Sequence, residues 1–288
     1  MTPAVSSERT TRQIARDERS GVLHPANLRR YNAEWFEPAP RVRDVVERYW
    51  SVTWNLPVGQ AITQRIIAAP AVTLTLESGS VPAPIVVTGV YRGAWQREIR
   101  ESGSAFGIRL RPAGLGVLSD LTPQRIADVT LPSSTALDVR LHGLLERIAR
   151  ADAPAERTAL ADDLIGECLD ERPPDQAALL ANAVVGHLTS SVIPEWGGDL
   201  AARFGVSERS IQRALRGTIG HGPKWVARWT RLQEVARVLS VRPESEMAAI
   251  ATELGYADQA HLINDFRRAV GMTPGAYVRS LRSVSEGE

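Results

Sequence analysis

The sequence predicts an α+β N-terminal domain followed by an all-α C-terminal domain in which two helix-turn-helix units are joined by a long helix. Three observations predict it. Apolar residues alternate with period two in the stretches Val72 to Glu77 and Phe106 to Arg111, they recur at helical spacing beyond Pro132, and five residues near the C-terminus repeat 51 positions later. The chain has 288 residues, 43% apolar and 23% charged, enough for two ordinary domains each with a core. No run approaches the ~20 apolar residues that cross a bilayer, and the first twenty residues carry four Arg without a hydrophobic run, so neither a membrane span nor a secretory signal is expected. The single cysteine, Cys168, permits no intrachain disulfide or cysteine-based metal site, which suits a reducing cytoplasm.

Residues 1–22 are polar and aperiodic, and a disordered tail is expected there. Between Arg41 and Trp50 the apolar positions Val42, Val45, Val46, Tyr49 and Trp50 have the spacing of one helical face, which predicts a helix. The alternation at Val72, Leu74 and Leu76 and at Phe106, Ile108 and Leu110 predicts half-buried strands. Ile85 to Val87 and Trp95 to Ile99 add two shorter ones, giving an antiparallel α+β unit over 23–135. Leu141, Leu144, Leu145 and Ile148, then Leu160, Leu164 and Cys168, predict a helical connector over 136–174. The Pro pair at Pro173 and Pro174 is the expected boundary. Beyond it a helix over Gln176 to Ser190 is expected to turn Leu179, Leu180, Ala183, Val184, His187 and Leu188 inward.

In the C-terminal part, Ser207, Ile211, Leu215, Gly220 and Pro223 recur as Asp258, Leu262, Phe266, Gly271 and Pro274. Ser and Asp are good N-caps, and the apolar residues four and eight positions later face inward. A small residue and a glycine precede each cap, Ala201 with Gly205 and Ala251 with Gly255, as a close helix crossing and tight turn require. This is a helix-turn-helix pattern twice over. Lys224 to Ser240 supplies a linking helix with Trp225, Trp229, Leu232, Val235, Ala236 and Leu239 on one stripe and Arg228, Arg231 and Arg237 outside it. At about 25 Å, with its turns, it could set the second helices about 34 Å apart, one DNA turn.

The whole chain carries a formal net charge of +1, yet Glu195 to Ser283 holds thirteen Lys or Arg against nine Asp or Glu. A basic excess at one end suits a polyanionic partner, although genome composition explains the Arg bias equally well. The strings DLAARFGVSERSIQRALRGTIGHGPKWV and IATELGYADQAHLINDFRRAVGMTPGAYV resemble the DNA-binding domain of AraC/XylS-type transcriptional regulators, over Asp175 to about Arg282. Residues 21 to about 135, with a Tyr-Trp pair and Arg-Pro-Ala-Gly, are similar to a poorly characterised domain found attached to such regulators.

The resemblance implies that the second helix of each unit reads double-stranded DNA. Arg209, Gln212, Arg213 and Arg216 in the first unit, and Gln259, Asn264 and Arg267 in the second, are then the base-reading candidates, with Ala260 and Ile263 available to thymine methyls. Asn264 stands where many relatives have a basic residue. Lys224, Arg228 and Arg268 are candidate phosphate contacts. In the N-terminal unit Trp50, Trp54, Arg65, Tyr91, Trp95 and Arg109 are candidates for an effector pocket, beside the reading in which the tryptophans fill a small core. The five histidines are scattered, no metal or cofactor is expected, and no catalytic constellation is visible. The reading is a cytoplasmic one-component regulator, not an enzyme, partnered by DNA, by RNA polymerase and by a small-molecule effector, and able to form a homodimer. Two alternatives remain open: a DNA-repair or modifying enzyme using the same DNA-binding domain, and an interaction scaffold. The segment from Asp175 to the C-terminus is expected to fold alone.

Overall fold

The computed structural model describes residues 21–193 and 197–286. The expected tail, 1–22, lies outside the described residues except for Gly21 and Val22. Those two are built into the fold: Val22 bridges Ile66, and Ile67 N donates to Gly21 O at 2.8 Å.

Eight strands form the N-terminal unit: β1 (Tyr31–Phe36), β2 (Val46–Asn55), β3 (Ala61–Ile66), β4 (Thr73–Gly79), β5 (Ile85–Thr88), β6 (Trp95–Arg100), β7 (Ser102–Leu110) and β8 (Thr130–Pro132). Six of them make one antiparallel sheet in the order β1-β2-β7-β4-β5-β8, and β3 pairs with β6 as a separate ribbon. The unit is therefore richer in strand than its α+β pattern suggested. The four expected strands are present as β4, β5, β6 and β7.

The expected helix at Arg41 to Trp50 does not form. A single 3-10 turn, Pro40–Val42, leads into β2, whose pairing with β7 slips between Val46 and Arg48. Such a bulge inserts an extra residue and breaks strict alternation. Val42 and Val45 are buried from the turns before β2, and Val46 and Tyr49 from either side of the bulge, so all four are fully buried at a spacing that imitates one face of a helix.

One face of the six-stranded sheet carries Leu74, Leu76, Phe106 and Ile108 into a core shared with α1 (Gly114–Leu118), α2 (Val139–Ile148) and α3 (Pro154–Glu171). Asp138 caps α2 by accepting from Leu141 N at 2.8 Å, and also accepts from Ser119 Oγ and Asp120 N, each at 2.7 Å. Burial works to raise this carboxyl, but those hydrogen bonds outweigh it and hold the group below the usual carboxylate range. Tyr49 Oη donates to Asp162 Oδ1 at 2.8 Å, joining the sheet to α3. On the opposite face the indoles of Trp50 and Trp54 lie across β7, where a Cβ on Gly107 would fall 2.0 Å from Trp50 and one on Gly103 would fall 2.3 Å from Trp54. Only glycine permits that approach.

Helices make up the rest: α4 (Gln176–Ser190), α5 (Gly197–Phe204), α6 (Glu208–Ile219), α7 (Pro223–Val241), α8 (Met247–Glu253), α9 (Gln259–Val270) and α10 (Pro274–Glu286). The inward face of α4 differs from the expected one. Ala181, Asn182, Val184, Val185 and Leu188 are buried, while Leu179 and Ala183 are exposed. The rotation follows from Asn182, which accepts from Ala113 N at 2.9 Å and donates to Asp44 O at 2.7 Å. These bonds satisfy backbone groups of the N-terminal unit. One apolar cluster thus runs without a break from the sheet through α2 and α3 to α4, α6 and the start of α7.

Candidate nucleic-acid interface

The two helix pairs are built alike. In the first, Gly205 turns with φ 63° after α5, and Ser207 caps α6 by accepting from Ser210 N at 3.1 Å. In the second, Gly255 turns with φ 70° after α8, and Asp258 caps α9 by accepting from His261 N at 2.7 Å. A positive φ strains any side chain but not glycine, so the same turn recurs where the same residue does. Both second helices end at glycines with φ 78°, Gly220 and Gly271. The spacing repeat is a structural repeat of two helix-turn-helix units joined by α7.

Packing decides which faces remain free. α6 buries Ile211, Ala214, Leu215 and Ile219, leaving Arg209, Gln212, Arg213 and Arg216 exposed. α9 buries Leu262, Asp265, Phe266, Ala269 and Val270, leaving Gln259, Ala260, Asn264 and Arg267 exposed and Ile263 half-buried. Every base-reading candidate therefore lies on the solvent side of a second helix. Arg forks match guanine edges and the amides of Gln or Asn match adenine, so both faces carry the donors that base readout needs. On α9, Arg267 Nη2 donates to Asn264 Oδ1 at 3.2 Å, which makes these two a connected pair.

Lys224 and Arg268 are exposed, but Arg228 is engaged: its Nε donates to Asp265 Oδ1 at 2.7 Å. The other linking-helix arginines are engaged too. Arg231 lies 4.9 Å over the Tyr256 ring and donates to Gly255 O at 3.1 Å, and Arg237 pairs with Glu234. Sequence reasoning missed Asp265. Its signal was a carboxylate on the same helical face as Leu262, Phe266 and Ala269. Along α7, Trp225 stacks on Trp229 at 5.1 Å and His221 stacks on Trp225 at 3.8 Å. Burial lowers the His221 pKa, opposed by nearby Asp128 and helped by Arg92.

The six effector-pocket candidates fall into separate groups. Trp54 is buried, its Nε1 donating to Arg100 O at 3.2 Å, and Trp50 packs beside it half-buried. Tyr91 and Trp95 converge on Thr130, with Oη and Nε1 at 3.2 and 3.3 Å from its Oγ1. Arg109 lies 3.9 Å from Glu47 on the sheet face that also bears Trp50. Arg65 is turned away from them and donates to Val270 O at the end of α9. A cavity of about 380 Å³ is lined by Trp54 with Arg29, Arg30 and Tyr31, and one of about 440 Å³ lies between β4, β5 and α2 without any of the six. The ribbon is held to the sheet by Arg97 Nη1 on Glu77 Oε1 at 2.5 Å, a pair with side chains 16% and 4% exposed. Cys168 is half-buried on α3, and burial pushes its thiol up, away from the reactive thiolate. Among the described residues no three His, Cys, Asp or Glu side chains gather to hold a metal, and no helix is long and apolar enough to cross a membrane.

Residues 200–280 match the model of a helix-turn-helix domain, and residues 34–132 match a domain of unknown function. A protein of Streptomyces antibioticus named "Putative AraC-like transcription regulator" is 29% identical over 163 residues, 55% of this chain and 48% of that protein. A protein of the same name from Streptomyces lividans is 35% identical over 80 residues, 27% of this chain and 26% of that one. The chain thus spans about half or less of the length of these curated relatives. ToxT from Vibrio cholerae O395 aligns with 88% of this chain and 98% of its own at 9% identity and a TM-score of 0.38. ToxT bound to (E)-4-(8-methylnaphthalen-1-yl)but-3-enoic acid gives 10% identity over 87% and 98% at 0.37. Likeness that loose carries no argument. The C-terminal segment carries a helix-turn-helix domain similar to part of proteins named AraC-like transcription regulators, and it is preceded by a β-rich domain that matches a domain of unknown function.

Proposed function

We propose that this chain is a sequence-specific DNA-binding transcription regulator of the one-component kind, in which the N-terminal unit biases a duplicated helix-turn-helix reader. The observation that carries the reading is the pair of capped second helices, α6 and α9, each with an exposed face of Arg, Gln or Asn and a buried apolar face. Double-stranded DNA is the partner, read by Arg209, Gln212, Arg213 and Arg216 on α6 and by Gln259, Asn264 and Arg267 on α9. Lys224 and Arg268 fix register on phosphates, and Arg228 acts chiefly through Asp265. The regulator acts in the cytoplasm with RNA polymerase and can work as a homodimer.

The reading assigns no catalytic step. A DNA-repair enzyme on the same domain that worked through a reactive cysteine would need a thiolate, and burial favours the Cys168 thiol. The test is a titration of the full chain against duplexes enriched from random sequence. Binding should prefer the enriched sequence and weaken steeply with salt, log K falling by about 0.9 per log unit of salt for each phosphate neutralised. Affinity independent of both salt and sequence would overturn the reading.

Effector control belongs to the same proposal, supported by the convergence of Tyr91 and Trp95 on Thr130 and by the half-buried Trp50. A small molecule bound by the N-terminal unit against Tyr91 and Trp95 raises the melting temperature by mass action, and Trp95→Ala abolishes that rise while leaving the unliganded melt in place. A Trp95→Ala chain that simply unfolds assigns Trp95 to the core instead.

A further inference from the structure

The two reading helices are tied to the N-terminal unit unequally. α6 shares the continuous core that reaches the sheet, and one side-chain bond, Gln124 Nε2 to Arg216 O at 3.2 Å, meets its far end. α9 belongs to a second cluster with α7, α8 and α10, into which the N-terminal unit inserts Leu23 and Ile67. Its last turn is held by the end of the β3–β6 ribbon. Ala94 N donates to Ala269 O at 2.8 Å, and the Arg65 guanidinium donates to Val270 O. Carbonyls in the last turn of a helix have no partner within it, and they attract a cation. Immediately after the ribbon, Ile67 O and Ala68 O accept from Gln233 Nε2 and Trp229 Nε1 on α7, at 2.8 and 2.6 Å. One ribbon end therefore grips both the linking helix and the second reading helix.

We infer that Arg65 is a positioning residue for the second helix-turn-helix unit: from the N-terminal unit it completes the C-terminal cap of α9 and so sets the angle at which Gln259, Asn264 and Arg267 are presented to DNA. The inference rests on the DNA-reading function proposed above and adds the route by which the N-terminal unit acts on it. Because the ribbon also covers the Trp50 face of the sheet through Arg97 and Glu77, a shift of the ribbon on the sheet is passed to α9. α6 is tied to the N-terminal unit by the continuous core rather than by the ribbon.

The test uses the full chain and the duplex it prefers. Base pairs whose discrimination depends on α6 are identified with Arg213→Ala, and those depending on α9 with Asn264→Ala. Arg65→Met keeps the side-chain stem but removes every donor. It is expected to lower discrimination at the α9 base pairs by about five- to tenfold and to change it less than twofold at the α6 base pairs. Arg65→Lys restores a cation and a donor and is expected to recover part of the loss, which a merely packing role would not produce. Equal losses at both sets of base pairs, or none, would overturn the inference. If Arg65→Met does not fold, the Arg65→Lys chain decides by the same ratio of the two losses. A wild-type chain without sequence preference would instead overturn the DNA-reading function itself, an outcome visible before any variant is made.

Discussion

Arg228 and Asp265 join α7 to α9 through a bond of 2.7 Å from Nε to Oδ1, and the Asp265 side chain is only 7% exposed. Tyr256 Oη stands 3.5 Å from the other carboxylate oxygen. In the first unit the position 51 residues earlier is Ala214, which is apolar and buried, so this link belongs to the second unit alone. Arg228→Ala strands a buried carboxylate and is expected to cost about 2–4 kcal/mol. Replacing the pair together, Arg228→Met with Asp265→Leu, is expected to cost less than either single change, because no unpaired charge remains. Urea denaturation of the full chain measures all three. A double variant as unstable as the sum of the singles would show that the two residues do not act as a pair.

Asn182 anchors α4 to the N-terminal unit by filling two backbone hydrogen-bonding groups, Ala113 N and Asp44 O. Asn182→Ala leaves the buried Ala113 N and the part-buried Asp44 O without this partner, at a cost of about 1–3 kcal/mol. The same contact bears on whether a segment starting at Asp175 folds alone. Such a segment keeps both helix-turn-helix units and the packing of α4 on α6 and α7, but it loses the Asn182 bonds to Ala113 N and Asp44 O and the insertion of Leu23 and Ile67 into the second cluster. It is expected to melt below the full chain, and a melt at the full chain's temperature would show the shared core to be dispensable.

How much was legible in the sequence depends on the range of the interactions involved. Caps, turn glycines and the inward stripe of α6 and α9 are local, and a repeat states each of them twice, so the reader and its exposed face could be derived from spacing. The helix expected at Arg41 failed because a turn before β2 buries Val42 and Val45 while a bulge in β2 puts Val46 and Tyr49 on one face three residues apart, and a bulge depends on the partner strand β7. The inward face of α4 depended on Asn182 meeting residues 69 and 138 positions away, and the role inferred for Arg65 on a contact 205 positions away. β1 and β8 bury no residue fully and β3 buries only Gln64, so no apolar alternation marked them, and their pairings could not be read without the topology.

Two histidines at the seam between the units titrate unfavourably. His24 precedes the turn at Pro25–Arg30, where burial and then Arg65 lower its pKa. His221 is lowered by burial, with Asp128 opposing and Arg92 adding. A lowered folded pKa means that the unfolded chain takes up protons first as pH falls, so stability is complete above about pH 6.5 and declines as pH drops toward the folded values. Melting temperatures are therefore expected to fall between about pH 7.5 and 5. His221→Phe, which keeps a ring against Trp225, should flatten that decline, and an unchanged slope would place its origin elsewhere.

Base reading and phosphate positioning separate by their response to sequence. Arg213 lies one turn beyond Arg209 on the exposed face of α6, whereas Lys224 is exposed at the start of α7. Arg213→Ala is expected to cost roughly 1–3 kcal/mol on the preferred duplex and to relax preference at one or two base pairs. Lys224→Ala should weaken all sequences about equally and make the salt slope shallower by about one. On α9 the Asn264 carbonyl already accepts from Arg267, so part of its hydrogen-bonding capacity is spent within the protein. Asn264→Ala should accordingly matter less than Arg213→Ala, and Asn264→Arg should strengthen binding to nonspecific DNA by adding a cation to an exposed face. Measured on preferred and scrambled duplexes at two salt concentrations, an equal loss for Arg213→Ala on both would mean that Arg213 touches only phosphate. The main reading role would then pass from α6 to α9.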